Sequence, residues 1–286
     1  MQAPDFLGIG MERAGTSWLF TMLASHPEIW VPPIKELHYF DVIAPDMYAK
    51  HRRHREHLLA RCKQKAAIFW KCKTRPEFYK NNAPEYFDWD RRFFTGPMDD
   101  GWYRSLFDEK FTRGRVSGEI TPAYCNLSKE MITHVHKLNP EMKFILMVRD
   151  PAERAWSGMV HQFCHIEGRR FETISEEEML TYLKGSYARS RSNLPEILET
   201  WQSTVPEARL FIRSISALKE EPERLLREVY TFLKVDAEYL PPPGLVHRQI
   251  NKHTKRSYEK PGAVKEYLDK TYKDQRVSFT ATQRTS

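Results

Sequence analysis

Apolar and polar positions follow one another in short blocks along the chain. Phe6-Leu7-Gly8-Ile9-Gly10 is a brief apolar run that breaks into a small polar turn ending Gly15-Thr16-Ser17. Beyond it, Trp18-Leu19-Phe20-Thr21-Met22-Leu23 has helical spacing, stopped by His26-Pro27. The pattern predicts a strand over 6–10 and a helix over 16–25. A second short strand is expected over 115–121, a helix at about 128–138, and the strongest strand over Lys143–Val148. Pro151 suits the first position of another helix. A helix around 187–203, a strand over Arg209–Ile212 and an amphipathic helix around 222–234 complete the series. Strands alternating with helices predict an α/β fold, a parallel sheet flanked by helices on both faces.

No repeat or low-complexity tract divides the chain, so residues 1–276 read as one domain. The polar tail over 277–286 is expected to be frayed. A chain of 286 residues can bury a substantial core. No apolar run reaches the roughly 18 residues of a membrane helix. Nor does the N-terminus carry the basic segment of a signal peptide. The four cysteines show no CxxC spacing, which argues against a zinc ribbon or a disulfide framework and favours a reduced, cytoplasmic setting.

The net charge of +7 attracts anions without saying which. RNP motifs, zinc fingers and basic heptads are missing, so nucleic acid is not the expected partner. Positive charge concentrates in a basic insertion at about 46–75, expected to be helical, which includes KHRRHREHLLARCKQKAAIFWKCKTR. It reads either as a solvated helical face or as the wall of a cleft for an acidic acceptor. His51, His54 and His57 lie three apart among arginines and a lysine, which opposes a bound cation. His161 and His165 share a helical face without a third ligand or the Glu of an HExxH motif, so structural roles are expected.

Gly10-Met11-Glu12-Arg13-Ala14-Gly15-Thr16-Ser17 has the glycine spacing of a triphosphate-binding loop but lacks its Lys-Ser/Thr pair. What survives is a strand, a tight turn and a helix N-terminus, whose N–H groups and dipole can cradle an anion. Thr16 and Ser17 add hydroxyl donors, and Arg13 a planar fork matched to phosphate or sulfate oxygens. Arg149 ends a strand, where open α/β sheets bind ligands. Ser157 follows on the next helix, so the two could grip a second phosphate. A helix-end salt bridge for Arg149 and a packing role for Ser157 are the alternatives.

Four segments in order, GMERAGTSWL, KELHYFD (35–41), GEITPAY (118–124) and VRDPAERAWS (148–157), make the chain resemble the PAPS-dependent sulfotransferases. PAPS is 3′-phosphoadenosine-5′-phosphosulfate. The look is most like the heparan-sulfate O- and N-sulfotransferase branch and its bacterial relatives. GSYARSRSNLPEILETWQ and NKHTKRSYEKP also fit, so the resemblance runs from residue 6 to about 270. It implies a P-loop-like fold and a cosubstrate with two separated phosphates. Arg13, Ala14, Gly15, Thr16, Ser17 and Trp18 would hold the 5′-phosphosulfate, and Arg149 with Ser157 the 3′-phosphate. Lys255 and Arg256 stand where the family often closes a basic loop over that phosphate; a solvated basic turn is the alternative.

Sulfuryl transfer needs a base for the acceptor's proton and cations for the sulfonate and leaving phosphate. The resemblance makes Glu36 the base, Arg13 a catalytic cation and His38 a group that orients the acceptor or shares its proton. Asp41 would fix the neighbouring chain. No metal is required if arginine and backbone donors carry the charge.

Two positions depart from the family pattern. Arg13 stands where a Lys is usual, and Ile120 where the animal glycan enzymes commonly carry a second Lys; Lys35 or the basic insertion could compensate. The family's C-terminal disulfide has no counterpart. Trp70, Trp89 and Trp102 could stack on sugar rings or could be core. A hydroxyl of a carbohydrate, lipid or small molecule is the expected acceptor, with an amine second. A P-loop nucleotide kinase and a non-catalytic anion- or glycan-binding protein are the competing functions.

Overall fold

The computed structural model describes residues 3–44, 84–242, 244–247 and 258–275. The insertion expected at 46–75, Trp70, Lys255, Arg256 and the tail over 277–286 lie outside the described residues.

Five parallel strands form the sheet: β1 Phe6–Gly10, β2 Ile29–Trp30, β3 Val116–Ile120, β4 Lys143–Val148 and β5 Leu210–Ser214. Their order across it is β2-β3-β1-β4-β5. All five residues of β1 are buried, as befits a central strand covered on both faces. After β1 the chain is carried first to one side of the sheet, to β2 and β3, and then across to β4. The loops following β1 and β4 therefore meet at the carboxyl edge, where such sheets bind ligands. Opposite β4 the register of β1 shifts between Gly8 and Gly10. That irregularity turns the end of the strand, as bulges do.

The helices are α1 Thr16–Ser25, α2 Phe40–Ile43, α3 Pro84–Thr95, α4 Asp100–Ser105, α5 Glu109–Thr112, α6 Lys129–Leu138 and α7 Pro151–Val160. Then come α8 Glu176–Lys184, α9 Ser186–Ser190, α10 Leu194–Gln202, α11 Ile215–Glu220, α12 Pro222–Leu233 and α13 Gly262–Thr271. The main core packs the sheet against α1, α6, α10 and α12. Phe144 of β4 meets Trp201 of α10 at 5.1 Å between ring centres. Complete burial of such side chains contributes about 1.5–3 kcal/mol each. A separate cluster joins Ala155, Trp156 and Met159 of α7 to Met179 and Leu183 of α8 and to Val264 and Leu268 of α13. It fixes α7, the helix that carries Ser157.

The expected strands and the helices over 16–25, 128–138 and 222–234 appear within a residue or two of their predicted ends. The helix expected over 187–203 is instead two, α9 and α10, parted at Arg191–Asn193. Pro195 starts the second, in the first turn where its missing N–H costs nothing. At the break Arg191 and Ser192 turn inward and are buried. The helix α8, closed by a capping box between Ser175 and Glu178, was not foreseen.

Candidate active site

The loop leaving β1 is built around two backbone positions that a side chain would spoil. Gly10 has φ 148°, and a Cβ there would lie 2.7 Å from Cys125 Cβ. Gly15 has φ 89° and would bring a Cβ to 2.8 Å from Leu218 Cδ2. Gly15 is also the N-cap of α1; it supplies no side-chain cap, and the first turn holds no acidic residue. The opening N–H groups of α1 therefore present positive charge at the carboxyl edge of the sheet.

Behind the loop lies a buried ion cluster. Arg154 of α7 donates to Glu12 Oε2 at 2.8 Å, and Arg191 donates to Glu12 Oε1. Both guanidiniums are 2% exposed. Gly158, one turn after Arg154, leaves room for it: a Cβ there would sit 3.2 Å from Arg154 Nη1. Burial is the largest influence on Arg191 and pulls its pKa down. The acidic groups around it, Glu12 foremost, outweigh that pull, and the pKa ends above the ordinary arginine value.

In front of the loop the predicted anion ligands meet. Arg13 Nε donates to Ser157 Oγ at 3.2 Å, and Arg149 Nη1 donates to the Arg13 carbonyl at 2.9 Å. Arg149 also stands 3.9 Å from Glu153, too far for a hydrogen bond. Burial, then the nearby charges of Arg149 and Arg154, hold Arg13 below the ordinary arginine pKa. Burial likewise lowers Arg149. Two half-buried cations, both lowered by burial, are a place where an anion would be stabilised on entry.

A second loop, between β2 and α2, carries Lys35-Glu36-Leu37-His38. Glu36 has φ 65° and His38 φ 55°, and Arg13 in the first loop has φ 67°. Left-handed backbone at a residue with a Cβ costs roughly 1–2 kcal/mol. Strain of this kind concentrates at functional sites. Lys35 Nζ donates to Glu36 Oε1, and His38 Nε2 lies 3.5 Å from Glu36 Oε2. His38 Nδ1 is 2.8 Å from Asp41 Oδ2. The imidazole is thus set between two carboxylates.

Burial is the strongest influence on Glu36 and raises it. The hydrogen bond from His38 and the charge of Lys35 prevail, so the carboxyl stays well below the usual carboxylate range. For His38, burial pulls down and Asp41 and Glu36 push up, leaving it at about 9. At neutral pH Glu36 is therefore ionised and His38 charged.

A profile of the sulfotransferase family matches residues 4–239. The chain belongs to the sulfotransferase family. Its fold is similar to that of a sulfotransferase from Alicyclobacillus acidocaldarius at a TM-score of 0.59 and 18% identity, over 96% of this chain and 93% of that one. It is also similar to the sulfotransferase domain of the Synechococcus PCC 7002 olefin synthase, with a TM-score of 0.52 and 18% identity over 95% and 96% of the two chains. A sulfotransferase domain from the curacin biosynthetic pathway gives 0.52 and 19%, over 85% and 77%.

As a sulfotransferase, the chain has the expected residues in two places. Arg13, Ala14, Gly15, Thr16, Ser17, Arg149 and Ser157 gather around the loop after β1, and Glu36, His38 and Asp41 around the loop after β2. Trp18 is buried and its indole donates to the Val246 carbonyl at 2.7 Å, so what it can offer an anion is its backbone N–H. Asp41 Oδ2 holds the His38 imidazole, and its buried Oδ1 has no hydrogen-bond partner among the described residues. Trp89 and Trp102 are core residues whose indoles donate to the carbonyls of Leu106 and Arg92. Ile120 is wholly buried against Gly8, within the sheet.

Sequence inspection missed Glu12, Arg154 and Arg191. A lone carboxylate inside a loop read as an anion cradle was the available signal, since it needs cations behind it. It also missed Glu119, although Glu119, Thr121 and Tyr124 stand within one of the four motifs.

Proposed function

We propose that this chain transfers a sulfuryl group from PAPS to an acceptor hydroxyl, with an amine as the second choice, by in-line displacement. The observation that carries the proposal is the joining of Arg13 to Ser157 and Arg149, across 144 and 136 residues of sequence, in front of the uncapped start of α1. PAPS supplies the sulfuryl group and a bisphosphate leaving group. A two-phosphate nucleotide answers a site with two cations, a hydroxyl and a ring of backbone donors.

In this reading the N–H groups of residues 14–18, with Thr16 and Ser17, hold the 5′-phosphosulfate, and Arg149 with Ser157 hold the 3′-phosphate. Arg13 stands between the two sets and neutralises charge on the leaving phosphate oxygen. Glu36 takes the acceptor proton as the oxygen–sulfur bond forms and the bond from sulfur to the phosphate oxygen breaks. A carboxylate held by both Lys35 and His38 is ionised but a weak base. Drawing Lys35 onto the sulfonate loosens that grip, raises the basicity of Glu36 and supplies the cation that buried Ile120 does not. The resemblance to the heparan-sulfate branch supports a sugar-bearing or acidic acceptor.

Thermal unfolding with adenosine 3′,5′-bisphosphate, with ADP, and with ATP plus Mg²⁺ tests the cosubstrate. A ligand at 100 times its dissociation constant adds about 2.7 kcal/mol, a shift of several degrees. A shift with the bisphosphate alone is expected. A shift only with ATP and Mg²⁺ replaces the proposal with a kinase, and no shift with any of the three rejects a nucleotide site.

A further inference from the structure

The loop bearing Glu36 and His38 is strained at both residues, and something must hold it. The amide that follows each of them is taken up by one buried network. Leu37 N–H, next after Glu36, donates to Glu119 Oε2 at 3.2 Å. Tyr39 N–H, next after His38, donates to the Tyr124 hydroxyl at 3.0 Å. That hydroxyl in turn donates to Glu119 Oε1 at 2.9 Å. Tyr103 donates to the same oxygen at 2.9 Å, and Thr121 to Oε2 at 2.7 Å.

Glu119 is 1% exposed and accepts four hydrogen bonds, two on each oxygen. A carboxylate is the side chain with acceptor sites for all four donors. Burial, the largest influence, raises its pKa even so. Its place in the sheet matters too, because Glu119 pairs with Leu7 of β1. The loop before α2 is thereby referred to the strand that launches the anion loop.

We infer that Glu119 and Tyr124 are positioning residues that clamp the peptides after Glu36 and His38, and so set the base and its imidazole partner relative to the anion loop. This inference rests on the reading of Glu36 and His38 as the transfer site. Neither clamp residue touches a reacting atom. Fixing the amide after a left-handed residue fixes its ψ, and hence the direction in which the next side chains leave the backbone.

The test is Tyr124→Phe, which keeps the ring and removes the acceptor for Tyr39 N–H, beside Glu119→Met, which keeps the volume and removes every acceptor. Tyr103→Phe takes one donor from Glu119 but touches no loop peptide. The His38 ring is titrated by NMR, amide exchange is followed at Leu37 and Tyr39, and adenosine 3′,5′-bisphosphate binding is measured by calorimetry.

In the unaltered protein the ring should titrate near 9. Tyr124→Phe should move it toward the ordinary value of about 6.5 and speed exchange at Tyr39. Bisphosphate affinity should change by less than about twofold, because the hydrogen bonds of Tyr124 go to Tyr39 and Glu119 and not to Arg13, Arg149 or Ser157. Tyr103→Phe should leave His38 in place.

The clamp is overturned if Tyr124→Phe leaves His38 titrating near 9, or if Tyr103→Phe moves it as far. Tyr124→Phe decides the matter even if Glu119→Met does not fold. Failure of the unaltered protein to bind the bisphosphate would remove the sulfotransferase site assignment, while the His38 titration would still report on the clamp.

Discussion

Two loops at the same edge of one sheet are held from behind by opposite means. The loop after β1 offers its carboxylate, Glu12, to two buried arginines. The loop before α2 offers its amides to a buried carboxylate, Glu119, directly or through Tyr124. The first arrangement leaves a surplus of positive charge behind the loop that, in the proposed function, cradles a polyanion. The second places a hydrogen-bond acceptor behind a loop whose own carboxylate, Glu36, in the proposed function takes a proton. Buried cations behind Glu36 would hold its proton affinity lower still, and a buried carboxylate behind the anion loop would repel the phosphates. On the proposed function, the sign of the buried charge suits the chemistry in front of it.

The sharpest way to break the comparison is to ask whether the two loops have separable tasks. Glu36→Gln should lower PAPS-dependent transfer by about 10²–10⁴-fold, the usual worth of a general base. Bisphosphate binding, read by calorimetry, should persist. Undiminished transfer would strike Glu36 from the chemistry. If binding were lost as well, the two loops would share one task.

A large effect on stability is expected at the other loop. Glu12→Gln leaves Arg154 and Arg191 buried without the carboxylate that pairs with both, a loss on the order of 3–5 kcal/mol. Thermal unfolding should show a drop of roughly 10 °C, and bisphosphate binding should weaken with it. A melting temperature within a degree of the unaltered protein would mean that the arginines find other partners.

The smallest expected effect is a pH dependence that belongs to the second loop. His38 is raised in the folded state to about 9 from 6.5. Its stabilisation, on the order of 3 kcal/mol, is therefore whole below about pH 6.5 and is lost as pH rises through about 9. Glu36 runs the other way. Its carboxyl is depressed, so its contribution is present above its unfolded value and is lost as pH falls. Urea unfolding from pH 6 to 10 should show a falling slope that His38→Gln abolishes. An equal slope in both proteins would place the titrating group elsewhere.

Much of this was legible in the chain. The run Phe6–Gly10 with its two glycines announced a strand and a tight turn into a helix, because those signals are local in sequence. Glu36, His38, Arg149 and Ser157 stood in recognisable segments. The break at Arg191–Asn193 was not legible, since continuous helical spacing conceals a side chain that must turn inward to meet Glu12. The burial of Trp89, Trp102 and Ile120 was hidden for the same reason: an apolar residue type does not say which face of its element is covered.

What the sequence determined by itself was the alternation of the main strands and helices, the glycine turn between β1 and α1, and the residue types that chemistry requires. Periodicity, glycine conformational freedom and side-chain chemistry act over a few residues. Only the tertiary structure decided that Arg13 reaches Ser157, that Arg154 and Arg191 converge on Glu12, and that Glu119 holds the amide after Glu36. Those partners lie 82 to 179 residues apart. Nothing in a local pattern encodes which distant groups the sheet will bring together. Burial removes water as a competing partner, so the chain must satisfy those charges and amides from within.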